Sequence, residues 1–263
     1  MSDSRGVSLI IPTFNRHDML RKSLECLKAR TQYLPKEIIL VDDGSEPEHI
    51  PHYEPLKIEG LVDKIVLLPH KNYARLTDAA YLAGLQHTNP EYPYIFFGTD
   101  DLLYRTGWIQ VLIDMLESPW AKKYNVQIAS GFSHWAASND TATMKKIVDE
   151  MYQSADGKVQ GYVAEWGGNY FMRRSFFNEM GGFVNNLKTL TVPPQYASSY
   201  EAVLQYKGLE MGWKWANTLE TYVQTMALPG SSTLGNYRII DGQLANNERY
   251  RNGIAIGILW KDE

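Results

Sequence analysis

Four short apolar runs without polar alternation, each closed by a proline or by acids and turn residues, constrain this chain most. They are VSLIIP (Val7 to Pro12), KEIILVDDGS (Lys36 to Ser45), DKIVLLP (Asp63 to Pro69) and YIFFGTDDLL (Tyr94 to Leu103). A strand with one wet face alternates, whereas a run that is apolar throughout is buried on both faces. Between the runs, His17 to Arg30 carries Met19, Leu20, Leu24 and Leu27 near helical spacing, and TDAAYLAGLQH (Thr77 to His87) reads as a second helix. Buried strands separated by helices predict an α/β fold: a mostly parallel sheet flanked by helices.

Past Leu103 the pattern loosens. Gly107 to Glu117 is helical by spacing, VQIASGFSHWA (Val126 to Ala136) reads as a strand, and Thr141 to Gln153 as an amphipathic helix. Glycine and aromatics then dominate VQGYVAEWGGNYFMRRSFFNEMGGF. No Ser/Gly linker, charge run or repeat separates the halves. With 263 residues and 44% hydrophobic content, the expectation is a single compact domain of two lobes, residues 1–103 and 104–228, followed by a loop and tail over 229–263.

A net charge of -4 gives no general attraction to nucleic acid or to an anionic membrane, so an anionic ligand must be held by local groups or a metal. The single cysteine, Cys26, cannot form an internal disulfide and falls in the apolar pattern of a helix, which fits a reducing compartment. No signal peptide is evident and no apolar run approaches the ~20 residues of a transmembrane span. The predicted location is cytoplasmic.

The acids carry the chemistry. In open parallel sheets ligands bind at the carboxyl ends of the strands, and Asp42-Asp43 and Asp100-Asp101 both follow predicted strands. Two acidic clusters facing one crevice would repel a phosphate unless a hard cation lay between. Mg²⁺ or Mn²⁺ suits a site with few carboxylates and substrate phosphates as further ligands. Taken singly, each doublet also reads as a turn or helix cap.

VSLIIPTFNR, EIILVDDGS and YIFFGTDDLL, in this order and spacing, resemble the family 2 glycosyltransferases of the GT-A fold. The resemblance implies a Rossmann-like nucleotide-sugar-binding lobe over 1–103 and an acceptor-binding, catalytic-base lobe over 104–228. It implies a turn against the nucleotide base at Pro12, Thr13, Phe14, Asn15 and Arg16, and base or ribose contact at Asp42 with Asp43 beside it. Asp101 becomes the metal ligand, with Asp100 nearer the ribose or sugar. The family's usual Asp-x-Asp would place a further acid at Gly98, so this chain has a Thr-Asp-Asp form, and the glycine is expected to leave room there. Arg75 or Lys71 in HKNYARLTDAAYLAG pairs with the diphosphate or is solvated, and Asp78 is a cap or surface residue.

GGNYFMRRSFFNEMGGF resembles the family segment beside the donor sugar, where Gly167 and Gly168 would let sugar approach the backbone. Arg173 and Arg174 are either site cations or the solvated start of a helix, and Trp166 either stacks on sugar or belongs to the core. SSYEAVLQYKGLEMGW carries Glu201, Leu204 and Gly212 at the spacing of the family's Glu-Asp-x-x-Leu motif, with Tyr200 replacing its first acid. That puts Glu201 at the catalytic-base position, with Glu210 in reserve. Relatives often add a later histidine to the metal; none follows His134 here, and Asp241 or water would substitute. PGSSTLGNYR (Pro229 to Arg238) reads as a lid or a surface loop.

The implied activity is inverting transfer from a UDP or dTDP sugar to a hydroxyl of a glycan, lipid-linked or glycosylated acceptor. The alternatives are a nucleotidyltransferase, for which PTFNRHD lacks the expected glycines, and a non-catalytic glycan-binding derivative of the fold.

Overall fold

The four apolar runs lie side by side in a computed structural model that describes residues 5–32, 35–69, 76–132, 151–153, 159–164, 169–182 and 210–225. Val7–Thr13 (β1) pairs in parallel with Lys36–Asp42 (β2) and with Tyr94–Phe97 (β4), and Lys64–Leu67 (β3) extends the sheet beyond β2. Successive side chains of a strand point to opposite faces. Val7, Leu9 and Ile11 therefore pack in one cluster with Leu20, Leu24 and Leu27 of His17–Arg30 (α1) and Leu112 and Leu116 of Trp108–Glu117 (α4). Ile10, Ile39 and Val41 pack in a second cluster with Ala80 and Tyr81 of Leu76–Leu85 (α3). Both faces are dry at β1, β2 and β4, which is why these strands show no alternation; the expectation fails at β3, an edge strand with no neighbour on its outer side among the described residues, where Leu67 is 53% exposed. The α3 helix lies so close to the sheet that a Cβ at Gly84 would fall 2.5 Å from Ile10 Cγ2 and 2.8 Å from Val41 Cγ2; glycine permits the approach.

The sheet continues with long-range partners. Tyr170–Arg173 (β9) runs antiparallel to β4 and to Val126–Phe132 (β6), and Lys214–Thr225 (β10) is parallel to β6. Val159–Ala164 (β8) and Met151–Gln153 (β7) follow as antiparallel strands. The order is β3-β2-β1-β4-β9-β6-β10-β8-β7, with Leu102–Tyr104 (β5) pairing with β10 off this path. Because β9 reverses between β4 and β6, the strands β3, β2, β1, β4, β6 and β10 share one direction. Further helices among the described residues are the 3-10 turn Ile50–His52, Tyr53–Ile58 (α2), Pro119–Lys123 (α5) and Arg174–Glu179 (α6). These elements belong to a unit covering Met1–Gln224, β10 ending at its border; Thr225–Glu263 form a second unit. No helix among the described residues is long and apolar enough to cross a membrane.

Two expectations change. Met151–Gln153, read as the end of a helix, is a strand because its backbone pairs with β8 from Met151↔Tyr162 to Gln153↔Val159; residues 141–150 lie outside the described residues. Arg173 and Arg174 do stand at the start of a helix, α6, but they are half-buried and hydrogen-bonded rather than freely solvated, and they lie away from the acids. Arg174 Nε donates to the Tyr92 carbonyl at 2.7 Å, Nη1 to Thr88 Oγ1 at 3.1 Å, and Nη2 to Ser8 Oγ and the Asn89 carbonyl, each at 3.0 Å. Arg173 Nε donates to Glu117 Oε1 at 3.1 Å and Nη2 to the Leu116 carbonyl. Since Arg173 faces Tyr94 at the start of β4, the pair fastens the end of the sheet opposite the acids.

Candidate active site

The carboxyl ends of β2, β1 and β4 form one edge. Thr13 lies opposite Asp42 in the β1–β2 register and Ile10 opposite Phe97 in the β1–β4 register, so the turns that follow are neighbours. The Asp43 N–H donates to the Thr13 carbonyl at 2.9 Å, and the Gly98 N–H to the Ile10 carbonyl at 3.1 Å.

Thr13, Arg16, Asp100 and Asp101 meet here. Thr13 Oγ1 donates to Asp100 Oδ2 at 2.8 Å, and Arg16 Nη1 donates to Asp100 Oδ1 at 3.1 Å while lying 3.8 Å from Asp101 Oδ2. Thr99 Oγ1 donates to Asp101 Oδ1 at 2.5 Å. Both aspartates are buried, at 4% and 5% exposure. Burial pushes the Asp100 carboxyl up to about 6, with Arg16 pulling it down and Asp101 pushing it further up. Two carboxylates share one guanidinium in this cluster. The local excess is negative.

Asp42 and Asn15 occupy the adjoining corner. Asp42 Oδ1 accepts from the Tyr53 hydroxyl at 2.9 Å and Oδ2 from the Ser45 N–H at 3.0 Å. Ser45 Oγ accepts from the Asn15 N–H at 2.9 Å, and the Glu46 N–H donates to Asn15 Oδ1 at 2.8 Å. These bonds hold Asn15 in a left-handed conformation with φ 54°, which asparagine tolerates better than most residues. The same turns meet again outside it, where His17 Nδ1 lies 2.8 Å from His49 Nδ1 and the His17 ring stacks on His52 at 3.7 Å. Burial pushes the Tyr53 phenol up, and the charges of Asp42 and Asp100 push it further.

Pro12 ends the β1 run one residue before Thr13, Phe14 follows in the turn, and Asp43 is buried at 5% exposure. Arg75, Lys71, Gly167, Gly168, Trp166, Glu201, His134 and Asp241 lie outside the described residues, as does the Asp78 side chain. Glu210, the reserve base, lies just before Gly212, which turns with φ 68°. Tyr53, Ser45, His17, His49 and His52 escaped the sequence reading. The serine was visible only as a turn residue, and the tyrosine sits among prolines and histidines with no periodicity.

The expectation for Gly98 reverses. A Cβ there would fall 2.6 Å from Phe96 Cε1, so the space is filled by an aromatic ring. Its carbonyl accepts from the Tyr81 hydroxyl at 2.6 Å. Among the described residues no group of three or more His, Cys, Asp or Glu side chains is arranged to hold a metal. The buried Asp100-Asp101 pair still fits a hard cation, provided phosphate oxygens and water supply most of its ligands.

The sequence model of glycosyl transferase family 2 matches residues 8–181, more than half of the chain and all of this edge. The chain belongs to glycosyl transferase family 2. Chondroitin synthase of Escherichia coli is 28% identical over 115 residues, which are 42% of this chain and 16% of that protein. Two solved structures show the same GT-A fold. GalNAc-T7 with UDP, GalNAc and Mn²⁺ superposes with a TM-score of 0.57 at 16% identity, over 86% of this chain and 44% of that one. The mannosyltransferase PcManGT of Pyrobaculum calidifontis, in complex with GDP-Man and Mn²⁺, gives 0.59 at 14% identity, over 92% and 61%. The family 2 chain described here thus spans less than two thirds of each of these relatives.

Proposed function

We propose that the protein is a metal-assisted, inverting glycosyltransferase that moves a sugar from a UDP or dTDP sugar to an acceptor hydroxyl. The observation that carries this reading is the buried Asp100-Asp101 pair sharing Arg16 at the carboxyl edge of parallel strands, one turn from Asp42. A buried excess of negative charge calls for a cation, and a cation there suits a diphosphate. The UDP with Mn²⁺ and GDP-Man with Mn²⁺ bound by the two structural neighbours support a nucleotide donor and a divalent ion.

In this reading Pro12, Thr13, Phe14, Asn15 and Arg16 line the nucleotide, Asp42 and Asp43 take its base and ribose, and Arg75 meets the diphosphate. Asp101 holds Mn²⁺ or Mg²⁺, and Asp100 lies toward the ribose or sugar, with Gly168 against the sugar itself. Bound metal supplies positive charge against the departing nucleoside diphosphate. Glu201 takes the acceptor proton as the hydroxyl oxygen bonds to the anomeric carbon and the diphosphate leaves with the electrons of its C–O bond. A single displacement of this kind inverts the anomeric configuration. The acceptor, a glycan or a lipid-linked or glycosylated molecule, meets the surface of residues 138–163 and 188–199.

Thermal-shift measurements with UDP, GDP, dTDP and CMP, with and without Mn²⁺, test the donor site, because a ligand that binds only the folded state raises its stability. The expected outcome is a metal-dependent rise with UDP or dTDP; no metal-dependent shift with any of the four would sink the proposal. Glu201→Gln should keep that shift and lose transfer.

A further inference from the structure

At the end of β2, a buried tyrosine and a turn serine converge on one carboxylate. Tyr53 is 1% exposed, and its ring belongs to the same apolar cluster as Leu20 and Leu56. A phenylalanine would serve that cluster equally well, so the hydroxyl needs another reason. It donates to Asp42 Oδ1 at 2.9 Å while the Ser45 N–H donates to Oδ2 at 3.0 Å. Ser45 Oγ lies 3.1 Å from the phenol oxygen. Since the phenol proton goes to Asp42, the serine hydroxyl proton goes to the phenol oxygen, and Ser45 Oγ is left to accept the Asn15 N–H at 2.9 Å. The chain of bonds thus runs in one direction from the β1 turn, through Ser45 and Tyr53, to Asp42. Burial pushes the Tyr53 phenol well up, so it remains a donor at any physiological pH.

A carboxylate offers about four acceptor positions, of which Tyr53 and Ser45 occupy one on each oxygen. The remaining positions accept N–H or O–H groups and repel phosphate. They suit a nucleobase or ribose and not the diphosphate.

We propose that Tyr53 is a positioning residue for donor recognition, fixing the Asp42 carboxylate where it meets the nucleoside half of the donor. The proposal rests on the nucleotide-sugar reading and deepens it. A carboxylate already fixed loses no rotamer freedom when ligand binds, which favours affinity. Releasing one oxygen removes that advantage for the nucleoside alone.

The test compares wild type, Tyr53→Phe and Ser45→Ala by calorimetric titration with UDP, GDP and dTDP, each with Mn²⁺, and with inorganic pyrophosphate and Mn²⁺. Thermal midpoints are recorded in parallel. Tyr53→Phe is expected to bind the wild type's preferred nucleotide about ten-fold more weakly, the scale of one hydrogen bond to a charged group, while Mn²⁺-pyrophosphate binding stays within about two-fold. Ser45→Ala should move the same way by less. If Tyr53→Phe does not fold, the nucleotide-to-pyrophosphate split in Ser45→Ala decides. Equal losses for both ligands, or no loss, overturn the positioning role. A wild type that binds pyrophosphate and no nucleotide more tightly overturns it alone; one that binds neither overturns the nucleotide-sugar reading as well.

Discussion

The doublets Asp42-Asp43 and Asp100-Asp101 follow the two strands that flank β1 and are buried alike, yet they are held by different chemistry. Asp42 receives neutral donors, a phenol and a backbone N–H. Asp100 receives a threonine and a guanidinium and lies beside a second carboxylate that the same guanidinium reaches at 3.8 Å. The first corner supports a carboxylate without cancelling its charge, which suits recognition of polar N–H and O–H groups. The second pits like charges against each other with one cation between them, which suits a further cation. Equal spelling in the sequence conceals unequal electrostatics.

The difference breaks most sharply on substitution of one acid in each doublet. Asp101→Asn should abolish the Mn²⁺-dependent part of nucleotide binding and lower transfer by about 100-fold or more. Asp42→Asn should weaken the nucleotide while preserving binding of Mn²⁺-pyrophosphate. Titration of both ligands against both variants checks the division, and identical profiles would erase it. Next in size, Arg16→Ala leaves the second doublet without its counter-charge and should cost about 3 kcal/mol in urea denaturation. Saturating Mn²⁺ should restore part of that loss; no effect of Mn²⁺ would show that the pair does not recruit a cation.

Protonation offers a gentler probe. The folded-state value of Asp100, about 6, lies above its ordinary 3.8, so the folded protein holds the proton more tightly than the unfolded chain. Its contribution is fully favourable below about pH 4 and is lost as pH rises to about 6. In EDTA, the stability of wild type relative to Asp100→Asn should therefore fall by about 2 kcal/mol across that window and level off above it. A flat difference would contradict the buried charge pair. Smallest of all, Thr13→Val removes one donor from Asp100 and should cost about 1 kcal/mol, read by the same denaturation.

The parallel half of the sheet was legible because burial on both faces suppresses alternation, and because acids and turn residues punctuate strand ends. EIILV and YIFFG declare themselves as strands, and the acids after them fall where the strand edge predicts. Less legible were features set by partners distant in sequence. Met151–Gln153 forms a strand through pairing with β8, which no local window contains. Arg174 looked like surface charge until the carbonyls of Tyr92 and Asn89 surrounded it. Tyr53 was invisible as a site residue because a buried phenol and a core phenylalanine leave nearly the same trace in an apolar pattern. Glu201 and Gly168 rest on motif spacing alone.

The ring that fills the space beside Gly98 limits which substitutions this edge accepts. Phe96 is fully buried, its ring centroid 4.7 Å from that of Trp108 and 6.3 Å from that of Tyr104. An engineered variant passing between glycine and aspartate at position 98 meets a valley. Gly98→Asp alone drives its Cβ into the ring, and shrinking Phe96 alone opens a void against Trp108. The two positions can change together far more easily than in turn, so the carboxylate count of this edge is locked by an aromatic residue two places upstream.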